Sequence, residues 1–327
     1  MNVAVPGRLC LVGEHNDWAG GASIVVPLDR HVRCRATPAP RLSATAVLEG
    51  RHLAWSGEGD PGPLRLVPAV SAELAARGLP STATVHVDGD LPPGRGFSSS
   101  AATCVALARA IAGTGGVALD VTTAAEVAYR SERERCGVNC GRLDPVACAH
   151  GMPLFLRFSG EAYDAEPIAA HLVLAVGSFR APRDTVGILA VLGRYFRGEV
   201  KVRDWEAVRR VGAVRGALEG FGEQARLARD ALAASDLRAV GASMNVCQAI
   251  YEDELAACLP ELRAPGLHRA VRALRAAGAL GAKFSGAGGD GSVIGLFKPG
   301  DPRAAQGVAA LDALGLDAFV TEVWCTV

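Results

Sequence analysis

Three stretches of the 327-residue chain hold side chains and glycines whose spacing suits chemistry on phosphate and hydroxyl groups. Leu91-Pro-Pro-Gly-Arg-Gly-Phe-Ser-Ser-Ser-Ala-Ala102 joins Gly94 and Gly96, which let backbone approach a ligand closely, to three serines ahead of an Ala-rich run. A loop of this kind, feeding a helix, aims unpaired N–H groups at one point and makes a ready site for a polyphosphate. Its candidate contacts are Pro93, Gly94, Arg95, Gly96, Ser98, Ser99, Ser100 and Ala101. The serine hydroxyls can bond phosphate oxygens or Mg2+; an ordinary Gly/Pro loop with a capping serine is the competing reading. It is not a Walker A loop, because no Gly-Lys-Ser/Thr follows.

A second stretch, Gly7-Arg8 through Gly13-Glu14-His15-Asn16-Asp17-Trp18 to Gly20-Gly21, clusters charged and polar groups at the ends of one apolar strand. Each can make a directed hydrogen bond, which suits a hydroxyl-rich ligand. The third, Gly286-Ala-Gly288-Gly289-Asp290-Gly291, matches GxGxxG, yet residues 292–297 read as a strand. A dinucleotide fingerprint must open a helix, so this reads as a hairpin loop, its Gly286, Gly288 and Gly289 expected to pack close to another phosphate-bearing loop, with a plain tight turn as the competing reading.

The elements that position these groups follow from periodicity. Residues 3–12 and 22–36 read as strands around the Gly13–Gly21 turn, residues 37–63 as a short β meander, residues 64–77 as a helix and residues 82–88 as a strand. Residues 101–112 form a helix, residues 122–135 a second one capped by Thr122 or Thr123, and residues 139–150 a third. Strands are expected over 154–158 and 172–176, then helices over 185–196, 205–234, 237–259 and 265–277. Strand, Gly loop and strand over 282–297, a helix over 302–314 and a strand over 318–327 close the chain. Strands and helices in mixed order with hairpin-like pairs indicate an α+β protein, not a parallel doubly wound sheet.

Half of the residues are hydrophobic, enough for a sizeable core in two lobes, and 34 basic residues balance 34 acidic ones. No Lys/Arg-rich run supplies a nucleic-acid footprint, so no nucleic-acid partner is expected. No signal peptide and no apolar run of membrane-spanning length is read, so a soluble protein without a membrane partner is expected. Nine scattered cysteines, an odd number, suit a reducing cytosol. Cys136, Cys140 and Cys148 lack the spacing of a metal site and read as small buried hydrophobes.

The three stretches, in this order, resemble the signature motifs of the GHMP kinases, the first resembling the galactokinase signature in particular. The resemblance extends to Ser131-Glu132-Arg-Glu-Arg-Cys-Gly137-Val-Asn139-Cys-Gly141-Arg-Leu-Asp144, which is similar to the galactokinase segment with the catalytic aspartate. It implies a two-domain fold, with a ribosomal-protein-S5-like β/α domain over 1–180 and a ferredoxin-like α/β domain over 181–327. It further implies ATP on the 92–100 loop, Ser100 and Glu132 as Mg2+ ligands, Asp144 as general base and Arg8 beside the transferring phosphoryl group. Glu14, His15, Asp17, Gly141 and Asp144 would then meet the sugar. The implied activity is a cytoplasmic sugar 1-kinase, monomeric or homodimeric. The chain also departs from the galactokinase pattern: Asn16 and Trp18 replace Thr and Tyr, while Ser178-Phe-Arg-Ala-Pro-Arg-Asp-Thr185 and Gly281-Ala-Lys283-Phe-Ser-Gly-Ala-Gly288 are more similar to mevalonate and heptose kinases. A kinase acting on a non-anomeric alcohol and a catalytically idle sugar-sensing regulator are the alternatives.

Overall fold

Alternating and continuous apolar runs at both ends of the chain become strands, and the 3.6-period runs between them become helices. The computed structural model describes residues 1–180, 185–200 and 205–326. In chain order the elements are β1 (Asn2–Val12), α1 (Asn16–Ala19), β2 (Gly21–Pro38), β3 (Ser43–Leu48), β4 (Arg51–Trp55), α2 (Leu66–Ala76), β5 (Ala83–Gly89), α3 (Ser99–Thr114), α4 (Val121–Arg130) and α5 (Leu143–His150). There follow β6 (Leu154–Ser159), β7 (Ala162–Pro167), β8 (Ala170–Ser178), α6 (Thr185–Arg197), α7 (Trp205–Ala233) and α8 (Leu237–Ile250). The chain closes with α9 (Ala256–Cys258), α10 (Pro265–Ala276), β9 (Gly281–Ser285), β10 (Ser292–Phe297), α11 (Arg303–Ala313) and β11 (Asp317–Cys325).

By internal contacts the chain groups into two units, residues 1–8 with 27–151 and residues 9–26 with 152–327. The sequence reading draws its boundary at residue 180; here residues 9–26 and 152–180 group with the C-terminal part. In the first unit the strand order is β4-β3-β5-β2, with β3 parallel to β5 and β2 antiparallel to β5 from Val32↔Gly89 to Pro38↔Ala83. The helices α2 to α5 supply its core, and Cys104 to Ala108 and Ala110 to Ala112 of α3 are completely buried. Burying each large aliphatic side chain there contributes about 1.5–3 kcal/mol. In the second unit the start of β2 pairs with β6 and β6 with β7, while a four-stranded antiparallel sheet runs β11-β8-β10-β9.

Several local expectations shift. The Gly13–Gly21 turn contains the short helix α1. Asp120, not Thr122 or Thr123, caps α4 by accepting from the Thr123 N–H. The helix expected over 122–135 ends at Arg130 and passes into a π turn, Ser131–Arg135, a feature that concentrates at functional sites. A second π turn, Tyr251–Leu255, interrupts the helix expected over 237–259. Residues 139–142 stand outside α5, and β7, whose Asp164 and Glu166 interrupt its apolar residues, is an additional strand that the sequence reading does not give. Cys148 is buried as expected, whereas Cys136 and Cys140 are only half-buried.

Candidate active site

In the first unit the middle of β1 runs against the loop at residues 92–98. The Arg8 N–H donates to the Phe97 carbonyl at 3.2 Å, and a Cβ on Gly7 would stand 2.7 Å from that oxygen, which is why the strand is bare there. The buried Arg8 guanidinium donates from Nε at 2.7 Å and from Nη2 to one oxygen, Oδ1 of Asp144, and from Nη1 to the Gly96 carbonyl at 3.1 Å. Asp144 lies in the first turn of α5, its side chain 36% exposed against 8% for Arg8. Among the described residues Oδ2 accepts no hydrogen bond. Arg8 therefore holds the carboxylate through Oδ1 while the side chain stays partly exposed.

The loop itself turns through left-handed backbone at Gly94 (φ 70°), Gly96 (φ 83°) and Ser98 (φ 59°) before α3 begins. A left-handed serine costs about 1–3 kcal/mol and persists where the surroundings impose it. Ser98 occupies the N-cap position, yet its side chain makes no cap bond, and its buried hydroxyl has no partner among the described residues. The capping-serine reading therefore fails for Ser98. With no acidic residue in the first turn of α3, the unpaired N–H groups and the positive dipole end are left for an anion. Pro93 and Gly94 are exposed, and the Arg95 guanidinium stands 3.8 Å from Glu49.

Glu132 opens the π turn and is buried. Desolvation pushes its carboxyl up to about 7; Asp144's charge adds to the rise, while a hydrogen bond from Ser100 and the charge of Arg65 oppose it. A buried carboxylate bonded to a hydroxyl is a hard-oxygen pair that fits Mg2+. Among the described residues no group of three or more His, Cys, Asp or Glu converges on a metal position. A Mg2+ ion here would lean on phosphate oxygens and water for its remaining ligands, as it commonly does.

The second unit holds the other predicted residues. Gly13 (φ 96°) cannot carry a side chain, since a Cβ would stand 2.3 Å from the Ala22 carbonyl. Asn16, completely buried, donates from Nδ2 to Ala22 O at 2.8 Å and Gly13 O at 3.4 Å and so ties the turn together. His15 (φ 67°) is buried at the start of α1, edge-on to Trp18, which in turn meets Phe196 edge-on at 5.5 Å. Asp17 is half-buried in the first turn of α1. Glu14 is not laid open for a ligand: it is ion-paired with Lys283, whose side chain is 0% exposed, donates also to Phe284 O, and lies 4.4 Å over the Phe284 ring.

The glycine loop joins β9 to β10 as a hairpin, with Ser285 opposite Ser292 and left-handed backbone at Gly286, Gly288 and Gly289. Tyr251, from the second π turn, accepts from the Gly289 N–H at 2.8 Å and donates to Leu262 O at 2.7 Å. Ser285 exchanges hydrogen bonds with the backbone of Cys10 on β1, 3.1 Å and 3.2 Å. Glu14 and the glycine loop thus rest on one framework through Lys283 and Ser285. Gly141 brings only backbone and is half-buried ahead of α5. In the sequence nothing local marks Lys283 as the partner of Glu14 or a buried tyrosine such as Tyr251 as a loop anchor. Residues 181–184 of the Ser178–Thr185 stretch lie outside the described residues.

A family model described as the GHMP kinases N terminal domain matches residues 65–152, and one described as GHMP kinases C terminal matches residues 228–313, together more than half of the chain. The mevalonate kinase of Aeropyrum pernix is 29% identical over 331 residues, spanning 98% of this chain and 95% of its own length. A galactokinase of Halalkalibacterium halodurans is 30% identical over 182 residues, 50% of this chain and 44% of its own. The crystal structure of Lactococcus lactis galactokinase complexed with galactose matches with a TM-score of 0.78 at 17% identity, over 99% of this chain and 94% of its own, a likeness of fold.

Proposed function

This chain belongs to the GHMP kinases and has their two-domain α+β fold, and from that premise we propose that it transfers the γ-phosphoryl group of ATP to a hydroxyl of a small polyol, first of all the anomeric hydroxyl of a sugar. The observation that carries the reading is the Arg8–Asp144 pair. Arg8 spends two donors on a single oxygen of Asp144, which orients the second oxygen as acceptor for the proton of an attacking hydroxyl. Phosphoryl transfer otherwise asks for positioning and charge neutralisation. The 92–100 loop and the start of α3 supply anion-binding N–H groups, and the Arg8 cation lies beside the same loop. Ser100 and Glu132 would hold Mg2+, which when bound neutralises phosphate charge. His15 and Asp17 on α1 are assigned to the acceptor, as is the Gly141 backbone, while Glu14 is held in its ion pair with Lys283. Gly286, Gly288 and Gly289 form the supporting loop.

Two observations favour a second acceptor class, a non-anomeric alcohol of the mevalonate or heptose type. The mevalonate kinase relative aligns over nearly the whole chain, and Glu14 is committed to Lys283. A sensing regulator has no need of Arg8, Asp144, Ser100 and Glu132 together. No described helix is long and apolar enough to cross a membrane; from the nine free cysteines we propose a reducing, cytosolic setting. Incubating the protein with ATP, Mg2+ and a panel of free sugars and mevalonate, with mass spectrometry of the products and NMR to locate the phosphate, tests the proposal. Acceptor-dependent ADP formation with a 1-phosphate product supports the first reading, a non-anomeric phosphate the second, and no acceptor-dependent turnover with any member defeats both.

A further inference from the structure

We infer that Arg142 is a positioning residue for Asp144, locking the first turn of the helix that carries it through a clamp to α4. The inference rests on the reading of Asp144 given above. Arg142 is the N-cap residue of α5, yet it offers no side-chain cap, and its backbone carbonyl accepts the first rung of the helix from the Val146 N–H at 3.1 Å. What holds this end instead is the Arg142 side chain, only 15% exposed. Its Nη1 donates to Oε2 of Glu126, and its guanidinium carbon stands 4.0 Å over the Tyr129 ring, so two neighbouring turns of α4 grip one planar group. Glu126 is itself braced, its Oε1 accepting from Arg130 Nε at 2.7 Å. Burial pushes the Glu126 carboxyl up, but the hydrogen bonds from Arg130 and Arg142 outweigh it and hold the group below the usual carboxylate range.

Asp144 therefore has two independent constraints. Arg8 fixes its carboxylate, and two residues earlier the Arg142 clamp fixes the backbone from which that carboxylate projects. Without the clamp, the first turn of α5 keeps Pro145, the Arg8 pair and the packing of the buried Leu143 and Val146 but loses its tie to Glu126 and Tyr129, and a small displacement of a reacting group is costly, about 100-fold per ångström. Lysine keeps the charge but has neither the fork nor the planar face, so it restores only part of the function.

The test compares Arg142→Met, Arg142→Lys and Glu126→Gln with the parent protein by hydrogen–deuterium exchange of the peptide spanning residues 140–147, by melting curves, and by turnover of ATP with the acceptor that the panel returns. The expected result for Arg142→Met is exchange at Val146 faster by about tenfold or more with little change in Tm, and kcat lower by about 10- to 100-fold with the KM for ATP unchanged. Arg142→Lys falls between, and Glu126→Gln reproduces part of the loss. Unchanged exchange in residues 140–147, or a lowered Tm with full kcat per folded molecule, overturns the inference. The exchange arm needs no acceptor. Asp144→Asn run alongside separates the two failures: full turnover in that variant removes Asp144 from the chemistry, whatever Arg142 does to the helix.

Discussion

Glu132 titrates at about 7 in the folded chain against 4.5 ordinarily, because burial disfavours its charge. The folded state binds that proton more tightly, so Glu132's contribution to stability is complete below about pH 4.5 and is lost as pH rises through about 7, up to ~3 kcal/mol. Urea unfolding in metal-free buffer from pH 5.5 to 8.5 should show the wild type losing stability relative to Glu132→Gln as pH rises; parallel pH profiles would contradict this. Lys283 is the opposite case, a buried cation with its counter-ion in place. Lys283→Met strands the Glu14 carboxylate and should cost about 3–5 kcal/mol, most of it regained in the double variant with Glu14→Gln. A single variant as stable as wild type would show the pair to be incidental. Sequence alone put both Glu14 and Lys283 in motifs but could not show that they neutralise each other, since 268 residues separate them and pairing over that distance depends on the fold.

Elements with strong periodicity were legible. The strands β1, β2 and β5, the helices α2, α3, α6, α7 and α10, and the β9–β10 hairpin all lie within a few residues of expectation. Two of the misses share a cause: the π turns at Ser131–Arg135 and Tyr251–Leu255 prolong a helical stretch without a break residue while changing the hydrogen bonding within it. In the first unit one turn carries Glu132, and in the second the other places Tyr251 against the glycine loop. Tyr251→Phe leaves the Gly289 N–H and the Leu262 carbonyl without the phenol and should cost about 1–3 kcal/mol in chemical denaturation. Gly288→Ala, with φ at 86° and a Cβ 2.6 Å from the Tyr251 ring, forces a backbone shift and should cost more than Tyr251→Phe. Equal stability of Gly288→Ala and wild type would refute the tight packing of the loop.

At the scale of the whole molecule, the fold class was readable because mixed strand and helix order with hairpin loops excludes a parallel doubly wound sheet. The grouping of residues was not, since β1 and β2 each run through both units and no composition shift marks residues 8, 26 or 151. Of the candidate site, the motifs could be located from glycine, serine and acid spacing, but their state could not: the orphaned Ser98 hydroxyl and the one-sided grip of Arg8 on Asp144 are properties of packing. That grip is the centre of the account, and it is tested most directly by the kinetics of Asp144→Asn. The substitution keeps the shape and removes the proton acceptor. With the acceptor identified by the panel, kcat should fall by at least about 100-fold while ATP affinity, measured by titration, stays within about threefold. A variant turning over at close to the wild-type rate would contradict the account.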